Sequence, residues 1–241
     1  MSKHSYPKLS PLGDSALTIE FGTSINPRVN GEVHALAHAL AAQPIAGVLD
    51  IVPAFASLTV FYDPARVQAA HCASLPIDAL ELEVRKRCSL VTHSAQSSGR
   101  EMDLPVCYGG EFGPDLEELA RFHGLTKRRL IELHSEPAYS VYMLGFAPGF
   151  PYLGGLHRQL HTPRRSSPRA QVPAGSVGIG GAQTGVYPLA TPGGWNIIGR
   201  TPLALFRPDD DVPSLLRPGD RLRFRPVGAE EFNALMTGRL S

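Results

Sequence analysis

SVGIGGAQTGVYPLATPGGWNIIGRTPLALF, residues 176–206, shows no helical period. Its apolar residues come in short runs (SVGI, VYPL, WNIIG, LALF) broken by glycine or proline, and RLRFRPV at residues 221–227 continues the habit. Such runs read as strands, because proline withholds a backbone donor and glycine supplies turns. Many short strands a few residues apart predict a closed or nearly closed β-barrel. Upstream, residues 101–107 and 139–144 each read as one more strand. Between them Asp115 precedes Glu117 and Glu118 in a capping-box spacing and opens a short helix to about His123. Gly124 closes that helix, and Thr126 caps a second one reaching about Glu136.

The first part of the chain has another character. ALTIEF, residues 16–21, alternates as a strand does. Asn30 is placed to cap a helix to about Gln43, along which Val33, Leu36, Ala37, Leu40 and Ala41 form one apolar stripe. Residues 48–52 and 58–62 read as two strands around a turn at 53–57, and two helical segments follow at about 64–74 and 77–89. The order β-α-β-β-α predicts a small ferredoxin-like layer. The polar stretch THSAQSSG, residues 92–99, reads as a linker. The expectation is an α+β protein with an N-terminal α+β domain over 1–91 and a barrel domain over 100–241.

Composition narrows the classes. The 241 residues suffice for one or two domains with a real core. Charged residues make up 19% and apolar residues 43%, which excludes a disordered chain. Glycine and proline total 46, or 19%, too many for a helical bundle. A net charge of +1 gives no basic footprint for nucleic acid. No apolar stretch is long enough for a signal peptide or a membrane span, so a cytoplasmic protein is expected. Cys72, Cys88 and Cys107 have no close pairing and form neither a disulfide framework nor a zinc site.

Residues 137–208 hold six arginines (158, 164, 165, 169, 200 and 207) and no lysine, aspartate or glutamate. At the average rate six or seven acids would fall there. A barrel core excludes carboxylates anyway. A pocket tuned for an anion would do so too, since guanidinium pairs bidentately with carboxylate or phosphate. The glycine cluster of residues 175–185 lacks the Gly-Lys-Ser/Thr ending of a phosphate loop and the spacing of a dinucleotide fingerprint. It suits tight barrel turns, or a loop that lets backbone donors approach a ligand with Gln183 and Thr184 beside them. His34 and His38 stand four apart but lack the glutamate of a zinc-protease motif, so they read as solvated. Ser176 is not in a nucleophile elbow, and Cys107 has no base beside it. GFAPGFPYLGGL, residues 145–156, sets Phe146, Phe150 and Tyr152 on a stiff loop with Pro148. That loop serves as a buried plug or as a ligand- or partner-contacting surface.

The segments EFGPDLEELA (111–120), VYMLGFAPGFPYLGGL (141–156), TPRRSSPRAQVPAGSVGIGGAQTGVYPLATPGGWNIIGRTP (162–202) and LLRPGDRLRF (215–224), with GDSALTIEFG (13–22), closely resemble the bacterial 5-oxoprolinase B-subunit family. The family is also called the kinase-inhibitor or allophanate-hydrolase-subunit-1 family, and it is similar to part of the carboxyltransferase region of urea carboxylase. The resemblance covers about residues 10–226. It implies a cyclophilin-like barrel after a small α+β domain. It also implies one subunit of an ATP-dependent 5-oxoprolinase, which opens the lactam of 5-oxo-L-proline to glutamate with subunits A and C. ATP with Mg would then act at the level of the complex, with no cofactor site identifiable in this chain. Two other roles carried by the resemblance are inhibition of a sensor histidine kinase and carboxyl transfer to an amide-like acceptor.

Activating a lactam oxygen needs cations around developing negative charge and a carboxylate base or metal-held nucleotide. Residues 137–208 offer the first and not the second. The expectation is an anion-holding wall whose base and metal ligands come from a partner. Arg164 and Arg200 would take the substrate carboxylate or phosphate. Gln183, Thr184 and Tyr187 would orient the amide, and Phe146, Pro148, Phe150, Tyr152 and Trp195 would shape the cleft or the joint.

Overall fold

The computed structural model describes residues 7–72, 75–90 and 99–238. The chain divides into two compact units, Met1–Ser98 and Gly99–Ser241. Of the expected linker only Gly99 lies within the described residues.

The first unit runs β1 (Lys8–Pro11), β2 (Ala16–Glu20), α1 (Pro27–Ala42), β3 (Val48–Pro53), β4 (Ser57–Tyr62), α2 (Pro64–His71) and α3 (Pro76–Leu90). Its sheet has the order β1-β2-β4-β3, with every pair antiparallel. Period-two alternation turns Leu17, Ile19, Leu58, Val60 and Tyr62 to one face. There they bury against Val33, Leu36 and Leu40 of α1, Val67 of α2, and Leu80 and Val84 of α3. Each such side chain contributes about 1.5–3 kcal/mol on leaving water.

The sequence reading lacks β1, which adds to the edge of this sheet beside β2. It also misplaces a cap. Asn26 is the residue whose side chain accepts from Arg28 N, at 2.8 Å, with Pro27 opening the helix. Asn30 lies a turn further in, where its amide donates to Ala54 O and Phe55 O and ties α1 to the β3–β4 turn. His34, expected in solvent, is buried at 5% exposure, while His38 is exposed.

The second unit runs β5 (Glu101–Tyr108), α4 (Leu116–Phe122), α5 (Lys127–Ser135), β6 (Tyr139–Leu144), β7 (Pro151–Gly154), β8 (Arg169–Val172), β9 (Ser176–Gly180), β10 (Gln183–Val186), β11 (Thr191–Gly193), β12 (Asn196–Arg200), β13 (Arg221–Val227) and α6 (Ala229–Met236). Seven strands close a barrel in the order β10-β7-β6-β13-β5-β12-β9, as the short apolar runs predicted. Strands β8 and β11 pair separately as a two-stranded ribbon. The barrel is filled by side chains, among them Leu104, Val106, Val141, Leu153, Val177, Ile179, Val186, Ile198, Leu222 and Phe224. Leu116 and Leu119 of α4 and Leu130 and Leu133 of α5 join that core. Thr126 caps α5 as expected, accepting from Arg129 N at 3.1 Å. Among the described residues no helix is long and apolar enough to cross a membrane.

Candidate functional site

The β9–β10 hairpin forms one wall of the barrel, with Gln183 opposite Gly180, Thr184 opposite Ile179, Gly185 opposite Gly178 and Val186 opposite Val177. Alternation sends Val177, Ile179, Thr184 and Val186 inward and leaves Gly178, Gly180, Gln183 and Gly185 outward. The outward glycines form a floor. A Cβ on Gly180 would stand 2.6 Å from the Trp195 indole Cδ1 and Nε1. One on Gly185 would stand 3.0 Å from Trp195 Cζ3 and 3.1 Å from Phe150 Cε1. The glycine cluster therefore makes room for protein rings, not for a phosphate. Gly181, with φ +67°, supplies the hairpin turn itself.

On this floor the expected aromatic residues assemble. Phe150 stands edge-on to Tyr187 at 5.3 Å and to Trp195 at 5.5 Å between centroids. Tyr152 lies 5.0 Å from Phe150 and 6.2 Å from Trp195. Phe150, Tyr187 and Trp195 are buried, and Val172 and Ile197 complete the cluster. Phe146 packs edge-on against Phe150 at 5.4 Å yet remains 62% exposed, in a left-handed conformation at φ +67°. It and the exposed Pro148 line an open cleft of about 450 Å³ with Leu144, Phe206 and Ser214.

Arg164 is exposed, its guanidinium carbon 5.9 Å from the Trp195 ring centroid, within range of a cation–π contact. It makes no ion pair among the described residues, so its donors are free. Gln183, directly opposite Gly180, shares the Trp195 face, and its Nε2 is buried without a hydrogen-bond partner. Burial pushes the Tyr187 phenol up, against a pull from its bond to the Trp195 backbone and from the Arg164 charge.

Two expected residues stand apart from this group. Thr184 is fully buried on the inner face, where its hydroxyl donates to Gly178 O at 3.0 Å. That leaves its oxygen to accept from His134 Nε2 at 2.9 Å, and His134 Nδ1 to accept from the Tyr108 hydroxyl at 2.8 Å. Burial drives the His134 pKa down to about 3, so the ring is neutral. Arg200 sits at the other end of β12 from Trp195, with Nε donating to Ala174 O at 2.8 Å.

The acid-free stretch is not acid-free in space. Asp115, which precedes it, is 4% exposed and reaches into it. Oδ1 accepts from Arg165 Nη1 at 3.1 Å and from Arg169 Nη2 at 2.6 Å, and Oδ2 accepts from Ile197 N at 2.6 Å. The expected capping box is therefore absent: the Asp115 side chain makes no cap bond to α4. Sequence reasoning missed this residue as part of the site. The available signal was the arginine surplus itself, which needed a carboxylate from outside its own span. Among the described residues no cluster of three or more His, Cys, Asp or Glu is placed to hold a metal ion.

The fold and this site define a class: residues 7–216 match the family described as carboxyltransferase domain, subdomain C and D. The chain is similar to the 5-oxoprolinase B subunit of Bacillus subtilis (strain 168), with 49% identity over 229 residues, 94% of this chain and 95% of that protein. It is similar to the 5-oxoprolinase B subunit of Escherichia coli O157:H7, with 45% identity over 215 residues, 89% of this chain and 94% of that one. Among solved structures, TTHA0988 superposes with a TM-score of 0.77 at 37% identity, covering 89% of this chain. This chain spans 40% of that longer one. The chain belongs to the carboxyltransferase-domain family of subdomains C and D, in its 5-oxoprolinase B-subunit branch.

Proposed function

We propose that this chain is one subunit of an ATP-dependent 5-oxoprolinase that opens the lactam of 5-oxo-L-proline to L-glutamate, working in the cytoplasm with subunits A and C. The observation that carries the reading is 49% and 45% identity, over nearly the full length, to two proteins named as the B subunit of 5-oxoprolinase. The first unit is read as a ferredoxin-like layer with β1 supplying an edge, and the barrel as cyclophilin-like.

The residues present do not fit an ATP–Mg site. The glycines that could cradle phosphates are covered by Trp195 and Phe150, and the best-placed carboxylate, Asp115, already holds two arginines. No step of the reaction is therefore routed through nucleotide on this chain; that chemistry belongs to the partner subunits.

What the chain supplies is binding. Arg164, supported by the Trp195 ring, offers free donors to the substrate carboxylate. Gln183, whose unpaired Nε2 is buried beside Trp195, orients the lactam carbonyl by turning that amide outward, and the packed Tyr187–Phe150–Trp195 rings exclude water beside it. Thr184 holds the wall from inside, and Arg200 serves a second anion at the far end of β12. The general base comes from a partner. In TTHA0988 the matching unit is joined to further chain, which supports a role beside other domains.

The test is ATP-dependent glutamate release from 5-oxo-L-proline by the three subunits together, with this chain present and omitted. Release only when it is present is expected, with Arg164→Ala raising KM about tenfold or more. Equal release with the chain omitted would overturn the reading.

A further inference from the structure

We propose that Asp115 is a positioning residue that sets the gap between Arg164 and Trp195; the inference rests on the substrate-binding role given to that face above. An aspartate at a helix N-terminus ordinarily accepts from its own first turn. Asp115 makes no such bond, and both of its oxygens accept instead from residues that neighbour Arg164 and Trp195 in the chain. Three bonds from two separate segments converge on this one buried carboxylate. Arg165 comes from the loop that carries Arg164 and Arg169 from the start of β8 just beyond it, and Ile197 N comes from the strand that follows Trp195. The two segments also touch directly, through Arg165 N to Gly194 O at 2.8 Å and Asn196 Nδ2 to Pro163 O at 3.0 Å. Asp115 ties both sides of that seam at its base.

Charge strengthens the assignment. Arg165 and Arg169 pair with Asp115, and Arg165 also stands 3.9 Å from the Glu118 carboxylate, so the two guanidinium groups are balanced and Arg164 carries the positive charge left for a ligand. Arg165 Nε and Arg169 Nη1 are buried with no hydrogen-bond partner. The acid is occupied by these three donors and makes no ion pair with Arg164, so it does not compete with a ligand carboxylate for that residue. The site therefore acquires a fixed geometry without losing its attraction for anions.

Trp195 is the only tryptophan of the chain, so its fluorescence reports on this seam directly. The experiment uses the full chain, with folding checked by circular dichroism. Arg164→Gln is expected to shift Trp195 emission in the wild-type background. In Asp115→Asn the indole is expected to become several-fold more open to acrylamide quenching, and Arg164→Gln is expected to produce no further shift. Asp115→Glu should restore part of the coupling. In the three-subunit complex, Asp115→Asn should raise KM for 5-oxo-L-proline about tenfold or more and change kcat far less.

A folded Asp115→Asn protein with unchanged quenching and intact Arg164 coupling would overturn the proposal, leaving Asp115 a purely structural ion pair. If Asp115→Asn does not fold, Arg165→Gln and Arg169→Gln carry the same test. Altered quenching in either supports the proposal, and unchanged quenching in both overturns it. Fluorescence that responds as expected in a complex without oxoprolinase activity would uphold the positioning role and sink the proposed function instead.

Discussion

On the inner face of the β9–β10 hairpin, Val177, Ile179 and Val186 fill the barrel and Thr184 joins a neutral, fully bonded chain with His134 and Tyr108. On the outer face, one residue away along each strand, Gly178, Gly180 and Gly185 present no side chain; rings lie on Gly180 and Gly185, and Ile197 Cδ1 and Trp195 Cβ on Gly178. Charge follows the same division: among the described residues no ionised group enters the barrel at this wall, whereas Arg164, Arg165, Arg169 and Asp115 gather outside. The contrast teaches how one hairpin separates stability from binding. Inside, an unpaired charge would bear the full cost of desolvation. Outside, partial exposure lets guanidinium groups keep donors free for a ligand.

The largest effect expected from breaking this division is His134→Ala. It removes a ring stacked 4.5 Å from Phe224 and leaves the Tyr108 and Thr184 hydroxyls short of a partner. The cost should be about 4 kcal/mol in urea denaturation, with the wild type as reference. The same residue predicts a pH dependence. With a folded pKa of about 3 against an ordinary value near 6.5, stability is complete above pH ~6.5. Below that the unfolded chain takes up the proton first, and about 1.4 kcal/mol is lost per pH unit as pH falls toward 3. Denaturation midpoints at pH 7 and pH 5 measure it, and His134→Gln should flatten the slope.

Next comes Gly180→Val, which fills the floor from the other side. Its Cβ alone would stand 2.6–2.7 Å from three indole atoms, so Trp195 must move. A loss of about 3 kcal/mol with a red-shifted Trp195 emission is expected; a loss under 1 kcal/mol would mean the indole is not seated there.

The smallest stability changes sharpen the comparison most. Thr184→Val should cost about 1–2 kcal/mol by orphaning the His134 Nε2–H, and leave KM for 5-oxo-L-proline unchanged. Arg164→Gln should alter stability by less than about 0.5 kcal/mol while weakening substrate binding. Reversal of these two patterns, read by calorimetry and by kinetics of the complex, would show that the two faces have been assigned the wrong way round.

Much of this was legible in the chain. Short apolar runs ended by glycine and proline define the barrel because period-two packing and turn chemistry are local. Phe146 and Phe150 were legible because proline and glycine mark a stiff loop, but Tyr152 lies on β7, paired with Gly185 and Met143, where the sequence predicts loop throughout 145–156. Other features depended on distant partners. Nothing local in KLSP marks β1, a four-residue edge strand held by β2. Asn26 and Asn30 are equally good caps by type, and Pro27, favoured at the first helical position, was the overlooked discriminator. Gln183 and Thr184 look like one pair of donors in the sequence, although neighbours on a strand face opposite ways. The direction of Asp115 was illegible, since its partners lie 50, 54 and 82 residues away.

One pairing in the barrel has a consequence for how the molecule is made. Strand β13 lies parallel to β5 in register from Arg221 with Glu101 to Val227 with Cys107, so the strand that opens the unit waits for the one that completes it. A ribosome must emit about 120 intervening residues before that seam can zip, and contacts of such long range are slow to form. Until then β5 offers an unpaired rim to any neighbouring nascent chain, which makes the synthesis interval, and not the finished protein, the moment of greatest aggregation hazard.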